Sequence, residues 1–257
     1  MLDKRASIVY DVVSYQRLTG LYQGWLSNHE HRRFDLWKSC KHSPLSMPLQ
    51  RLHSFLLVSF LPDIPCVGSS YTRGRAMSEE LLVRNCAPTL AGLKTASLFN
   101  CPYESREELL SSLRQLNRRL GPKGVRAIPL RFSETRALVY LYRPARLEQD
   151  LSANASAALL RQCGYTSCQS GKCLTSLARK LRQQGEFPHE IGLFLGYPAA
   201  DVRGFLEQRP CKCVGCWRVY ENEDQAQKTF ALYRKCTGIY CQQLAKGTNI
   251  ERLTVAG

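Results

Sequence analysis

The chain has 257 residues, of which 44% are hydrophobic, and carries a formal net charge of +15. That length and apolar content are enough to bury the core of one large domain or two small ones, and they exclude a disordered polyelectrolyte. The longest apolar run, Phe55 to Leu61, is far short of the roughly 18–20 residues that a membrane-spanning helix needs. Asp3 stands beside Lys4 and Arg5, and no small-residue cleavage site follows, so a secretory signal is not supported and a cytoplasmic protein is the expectation.

A basic balance points toward anionic partners such as nucleic acid, phosphate or a membrane surface. The basic residues are spread along the chain, however, with no Lys/Arg block longer than two. That is the pattern of a solvated surface and weakens the nucleic-acid reading. Twelve cysteines in a chain without a signal are expected as reduced thiols, metal ligands or redox groups rather than disulfides.

In chain order, residues 1–76 read as a poorly patterned extension. They hold four of the five histidines and two of the three tryptophans, and they show no sustained period. Met77-Ser78-Glu79-Glu80 looks like a fresh amino terminus, so 1–76 is expected to be an upstream extension ahead of the true start. Residues 77–257 then read as one α+β domain, mainly helical with a small antiparallel sheet that includes a β-hairpin.

Within that domain, Glu79 to Asn85 reads as a short helical piece. A second helix is expected to restart at Pro88, where the missing N–H costs nothing, and to run through Phe99. Ser105-Arg106-Glu107-Glu108 has the serine and glutamate spacing of a capping box, followed by Leu109, Leu113, Leu116 and Leu120 at helical intervals and a stop at Gly121-Pro122. Val125 to Phe132 and Ala137 to Tyr142 read as a hairpin, with Pro129 marking its first strand as an edge. Pro144 ends the second strand. Helices are expected over about Ala153 to Gln162 and Leu174 to Gln184, the latter burying Leu174, Leu177 and Leu181 with Arg179, Lys180 and Arg182 outward. A strand at Cys216 to Tyr220 and a last helix from Asp224 to Ala245 complete the pattern.

Three stretches carry candidate chemistry. Phe187 to Leu206 holds a His-Glu pair and several glycines within an apolar pattern whose spacing fits a helix-turn-helix. Its second helix opens Pro198-Ala199-Ala200-Asp201, where base readout favours Arg, Lys, Asn or Gln. A packing hairpin is therefore the better reading, with Arg203 as the one residue suited to DNA. His189, at a helix start, is a candidate base. Cys86, ahead of Pro88, would gain acidity at a helix N-terminus, so a Cys86–His189 thiol enzyme is one hypothesis. Cys211-x-Cys213-x-x-Cys216, with Cys236 on the last helix, is the other constellation. Thiols so spaced suit zinc or an iron–sulfur cluster, though the set lacks the second Cys pair of a zinc knuckle. Cys213 and Cys216 are also a candidate redox dithiol. No Walker loop, H-E-x-x-H or G-x-S-x-G occurs.

Four segments together resemble an uncharacterised bacterial family. They are Cys86-Ala87-Pro88-Thr89-Leu90-Ala91-Gly92-Leu93-Lys94, Arg136 through Pro144, Phe187 through Tyr197-Pro198 with Asp201-Val202-Arg203-Gly204-Phe205, and Cys216-Trp217 with Tyr220, Phe230, Tyr233 and Cys236. The family is DUF3793, found mostly in anaerobic Firmicutes, and the resemblance covers about 77–257. It implies a cytoplasmic domain beginning near Met77 in an anaerobe, where reduced thiols persist, and it supplies no activity or site residue. From the residues themselves, a cysteine-based metal or redox module is the favoured expectation. The Cys/His enzyme and a helix-turn-helix-like interaction or nucleic-acid module are the alternatives.

Overall fold

The computed structural model describes residues 77–183 and 187–257. The 1–76 extension and its start-site reading lie outside the described residues. Ser78 caps helix α1 (Glu79–Leu90) by accepting the Leu81 N–H. Strand β1 (Ala96–Pro102) follows, then α2 (Arg106–Leu120), where Ser105 accepts the Glu108 N–H as its capping spacing predicts. Strands β2 (Arg126–Phe132) and β3 (Arg136–Tyr142) form the expected hairpin. After them come α3 (Pro144–Ser152), α4 (Asn154–Gln162), α5 (Ser170–Gln183), the single turn α6 (Ile191–Phe194) and α7 (Ala199–Leu206). The two-residue strands β4 (Cys213–Val214) and β5 (Arg218–Val219) precede the long α8 (Glu223–Ala245) and the short α9 (Ile250–Leu253).

The main sheet is antiparallel in the order β1-β3-β2, so β3 lies in the middle. Its residues alternate between two cores. Leu138 and Tyr140 join Leu98, Leu130 and the apolar faces of α3, α4, α5 and α6. Ala137, Val139 and Leu141 join Phe99, Cys101, α1, α2 and α9. Both faces are covered by helices, which is why β3 reads as a near-continuous apolar run rather than an alternating one. β2 is an edge, as Pro129 predicts, and its register slips between Pro129 and Arg131. A third, smaller cluster joins Trp217 and Val219 of the β4–β5 hairpin to Ala226, Phe230 and Tyr233 of α8, with Leu93 and Tyr197 against it.

The helix expected over Pro88 to Phe99 is corrected. α1 runs through Pro88 and stops at Leu90. Gly92 takes φ +74°, Leu93 N–H reaches back to the Pro88 carbonyl at 2.8 Å and Gly92 N–H to Thr89 at 3.1 Å. This is a Schellman stop, which outweighs the helical spacing of Leu90, Leu93 and Leu98. The residues beyond it pair with β3 as a strand. Arg143 is buried and completes the stop: it donates to the carbonyls of Thr89, Leu90 and Val255, each at 2.7 Å. Pro144 ends a strand as expected, but it also starts α3, where its fixed φ suits the first turn. Lys180, expected outward, turns inward to Glu190 with Nζ 2.6 Å from the carboxylate.

Gly196 combines a left-handed backbone with a close approach. Its φ is +74°, and a Cβ there would lie 2.8 Å from Cβ of Thr95, whose hydroxyl donates to Asp150. Gly196→Ala should therefore lower unfolding free energy by about 2–4 kcal/mol, from left-handed strain plus overlap; urea denaturation monitored by circular dichroism checks this.

Candidate functional site

Residues 187–206 form a tight helical hairpin against the sheet. Gly192 lets the two arms meet, because a Cβ there would stand 2.8 Å from Cγ2 of Val202. The Tyr140 hydroxyl donates to the Phe194 carbonyl at 2.6 Å and ties α6 to the middle strand. Glu190 is buried and takes hydrogen bonds from Lys180 and from the Tyr165 hydroxyl, at 2.6 and 3.1 Å. It is therefore engaged away from His189. Asp201 is buried too. One oxygen accepts the Trp217 indole N–H at 2.8 Å, and the other accepts the backbone N–H groups of Tyr220 and Glu221 at 2.7 and 3.2 Å. This carboxylate fastens the β4–β5 hairpin onto α7.

A cavity of about 60 Å³ opens between the two hairpins. Phe187, Ile191, Leu195, Val202, Phe205 and Trp217 supply its apolar wall, and His189 and Arg218 are polar groups on its lining. The His189 ring meets Phe205 edge to face at 4.9 Å, and the Arg218 guanidinium lies 5.7 Å from the same ring. Both residues are half-buried. Among the described residues His189 makes no hydrogen bond, while the third polar group, Asp201, is fully engaged.

The residues singled out from sequence do not assemble as expected. Cys86 lies within α1 rather than at a helix N-terminus. Burial pushes its thiol up to about 12, against the opposing pull of Lys94 and a hydrogen bond with Ser97. That is the reverse of an activated nucleophile. Cys86 belongs to the core on one face of the sheet, whereas Phe187 and Ile191, which flank His189, belong to the other. The Cys86–His189 pair is therefore not brought together.

The four-cysteine set also separates. Cys213 accepts a hydrogen bond from Gln227 at 3.6 Å and lies near Cys211. Cys216 faces Lys94 and Arg234 instead, and Cys236 is buried on α8, its thiol pushed up to about 11 by burial. Among the described residues no three His, Cys, Asp or Glu side chains gather closely enough to hold a metal. Cys211, Cys213, Cys216 and Cys236 thus give no zinc or iron–sulfur geometry, because the β4–β5 turn directs them to different neighbours. As a helix-turn-helix the stretch falls short in both arms: α6 is a single turn, and Asp201 points into the core while Arg203 is exposed.

Residues 82–254 match the family described as a protein of unknown function, DUF3793. The chain belongs to this family. No curated protein and no solved structure matches it. Among the described residues of this DUF3793 protein, no helix is long and apolar enough to cross a membrane. Segments that carry the family resemblance converge on Tyr197. Its ring stacks on Trp217 at 5.0 Å, Lys94 Nζ stands 5.3 Å from its centre, and it packs with Cys216 against the cluster that holds Tyr233. Lys94 and Arg218 were not singled out as functional from sequence alone. Both sit inside those segments, but a lone cation there looks like any other surface charge.

Two outcomes follow for the DUF3793 chain. Asp201→Ala strands two buried N–H donors and a third that is part-buried, and should cost about 3 kcal/mol or more in chemical denaturation, with Asp201→Asn costing less. Cys86 should resist iodoacetamide at pH 8 in the folded protein and react only on unfolding, as peptide mapping of alkylated sites would report.

Proposed function

We propose that this protein is a small-ligand binding module that takes a short-chain carboxylate between the 187–206 hairpin and the β4–β5 hairpin. The observation that carries the reading is the apolar cavity with His189 and Arg218 on its lining. Pockets of this kind, mostly apolar with a few convergent polar groups, are where small molecules bind. An engineered cavity of about 150 Å³ accepts the six carbons of benzene, so about 60 Å³ accommodates a tail of roughly two or three carbons. Arg218 offers a planar fork that matches a carboxylate, and its place over Phe205 leaves it weakly hydrated. The net charge of +15 favours the approach of an anion. The thiol readings have less support, since burial raises the pKa of Cys86, Cys213, Cys216 and Cys236 alike.

The test is a titration from acetate to hexanoate, followed by the NMR signal of the Trp217 indole N–H. Affinity should rise about three- to fourfold per methylene, from about 0.8 kcal/mol each, and level off once the cavity is full. Arg218→Met should weaken binding about tenfold or more. Shifts that do not saturate, or that ignore chain length, would overturn the reading.

A further inference from the structure

Basic residues that are dispersed along the sequence are gathered by the fold at one edge of the main sheet. No Asp or Glu occurs from Leu109 to Ser133 or from Leu151 to Gln184, stretches that hold six and five Lys or Arg. The first covers most of α2 and all of β2, and the second covers α4 and α5. β2 is an edge strand, and α2 and α5 pack against it from opposite faces of the sheet. Asn117 of α2 bonds both backbone groups of Ala127, at 2.7 and 2.8 Å, which blocks the addition of another strand there.

Three of these cations are committed within the fold. Arg119 pairs with Glu79 and Glu251, Lys123 donates to the carbonyls of Glu251 and Thr254, and Lys180 pairs with Glu190. Arg114 and Arg118 of α2, Arg126 of β2, and Lys172, Arg179 and Arg182 of α5 are exposed. The ion pairs among the described residues involve none of these six. Arg182 bonds the Ala178 carbonyl of its own helix. The α5 cations lie opposite its buried stripe of Leu174, Leu177 and Leu181. Glu107 and Glu108 open α2 at the other end of the edge, where Arg106 covers the Phe132 ring, and Glu148 accepts the Ser170 N–H at 2.9 Å. The six exposed cations therefore face solvent as a surface of one sign.

We propose that this edge is a docking surface for double-stranded DNA, held through its phosphates without readout of sequence. Ser111 and Gln115 on α2, and Thr175 and Gln183 on α5, are exposed among the cations. Side chains of these types, with Arg and Lys, are the ones that bond phosphate. Helices packed on a sheet stand about 10 Å from it, so the basic sides of α2 and α5 are about 20 Å apart. The major groove of B-DNA is about 12 Å wide, and two rows at that separation reach the phosphates on both of its sides. The major groove of A-form RNA is too narrow for this. The large exposed apolar side chains, Val214, Leu232, Ile239 and Val255, all lie elsewhere, so the edge has no face to bury in a bilayer. The surface shares no residue with the carboxylate pocket and does not depend on it.

Fluorescence anisotropy of a labelled duplex of mixed sequence, titrated with the full chain at about 50 to 200 mM salt, tests this. The logarithm of affinity should fall linearly with that of salt, by about 0.9 per phosphate neutralised. Arg179→Gln with Arg182→Gln should flatten the slope by about 1.8, and Arg114→Gln with Arg118→Gln by a similar amount. Lys228→Gln with Lys235→Gln removes the same charge from the exposed side of α8 and should leave the slope unchanged. Circular dichroism checks that each variant is folded. Absence of salt-dependent binding, equal flattening by the α8 pair, or tighter binding to an RNA duplex or to phosphatidylserine vesicles would overturn the proposal.

Discussion

A single buried carboxylate holds the distinctive half of this structure together. Asp201 accepts one indole and two backbone N–H groups. β4 and β5 are two residues each, and an isolated hairpin of that size is not stable in water. Its position is fixed from outside, through Trp217 and Tyr220. Because Trp217 then stacks on Tyr197 and meets Phe230 edge to face at 4.6 Å, the same contact sets both the cavity wall and the surface that Lys94 faces. A carboxylate in that place explains why the start of α7 has an acidic residue where a DNA-reading helix would carry a donor.

The sheet supplies what the hairpins stand on. β3 is buried from Ala137 to Leu141 and contributes alternate side chains to opposite cores. Tyr140 reaches from it to the end of α6, and its neighbour Tyr142 stacks on it at 5.0 Å. The site is therefore referenced to the middle strand of the sheet. The Lys180–Glu190 pair does similar work from α5. Lys180 lies 4.3 Å from the Tyr165 ring centre and also donates to the Cys163 carbonyl, so the buried Glu190 charge is met on several sides, as burial of a charge requires.

Much of the fold was legible because local signals agreed with the packing. Ser105, the leucines of α2, Pro129 at an edge and the Leu174, Leu177, Leu181 stripe each meant what their spacing says. Where local and tertiary signals competed, the sequence misled. Leu90, Leu93 and Leu98 fit a helical period, yet Gly92 and the Arg143 guanidinium end α1 first, and Arg143 is far away in sequence. The 187–206 hairpin was legible as a packing unit through its glycines. The partners that give it a cavity were not, since Trp217 and Arg218 arrive from beyond the turn. Cysteine spacing along the chain carried no information about convergence, because the direction of each thiol is set by which neighbour the β4–β5 turn and α8 present to it.

Arg143 also bears on how this protein is made. The last carbonyls of α1, an early helix, are closed by a guanidinium some fifty residues later and by the Val255 N–H, which reaches Leu90 at 3.0 Å. Ile250 and Leu253 fill the same core. Contacts of such long sequence separation must overcome loop-closure entropy before they yield any stability. During synthesis α1 therefore emerges before Arg143, which closes its carboxyl end, and before α8 and α9, which pack against it, so this layer is complete only once the last helices have formed.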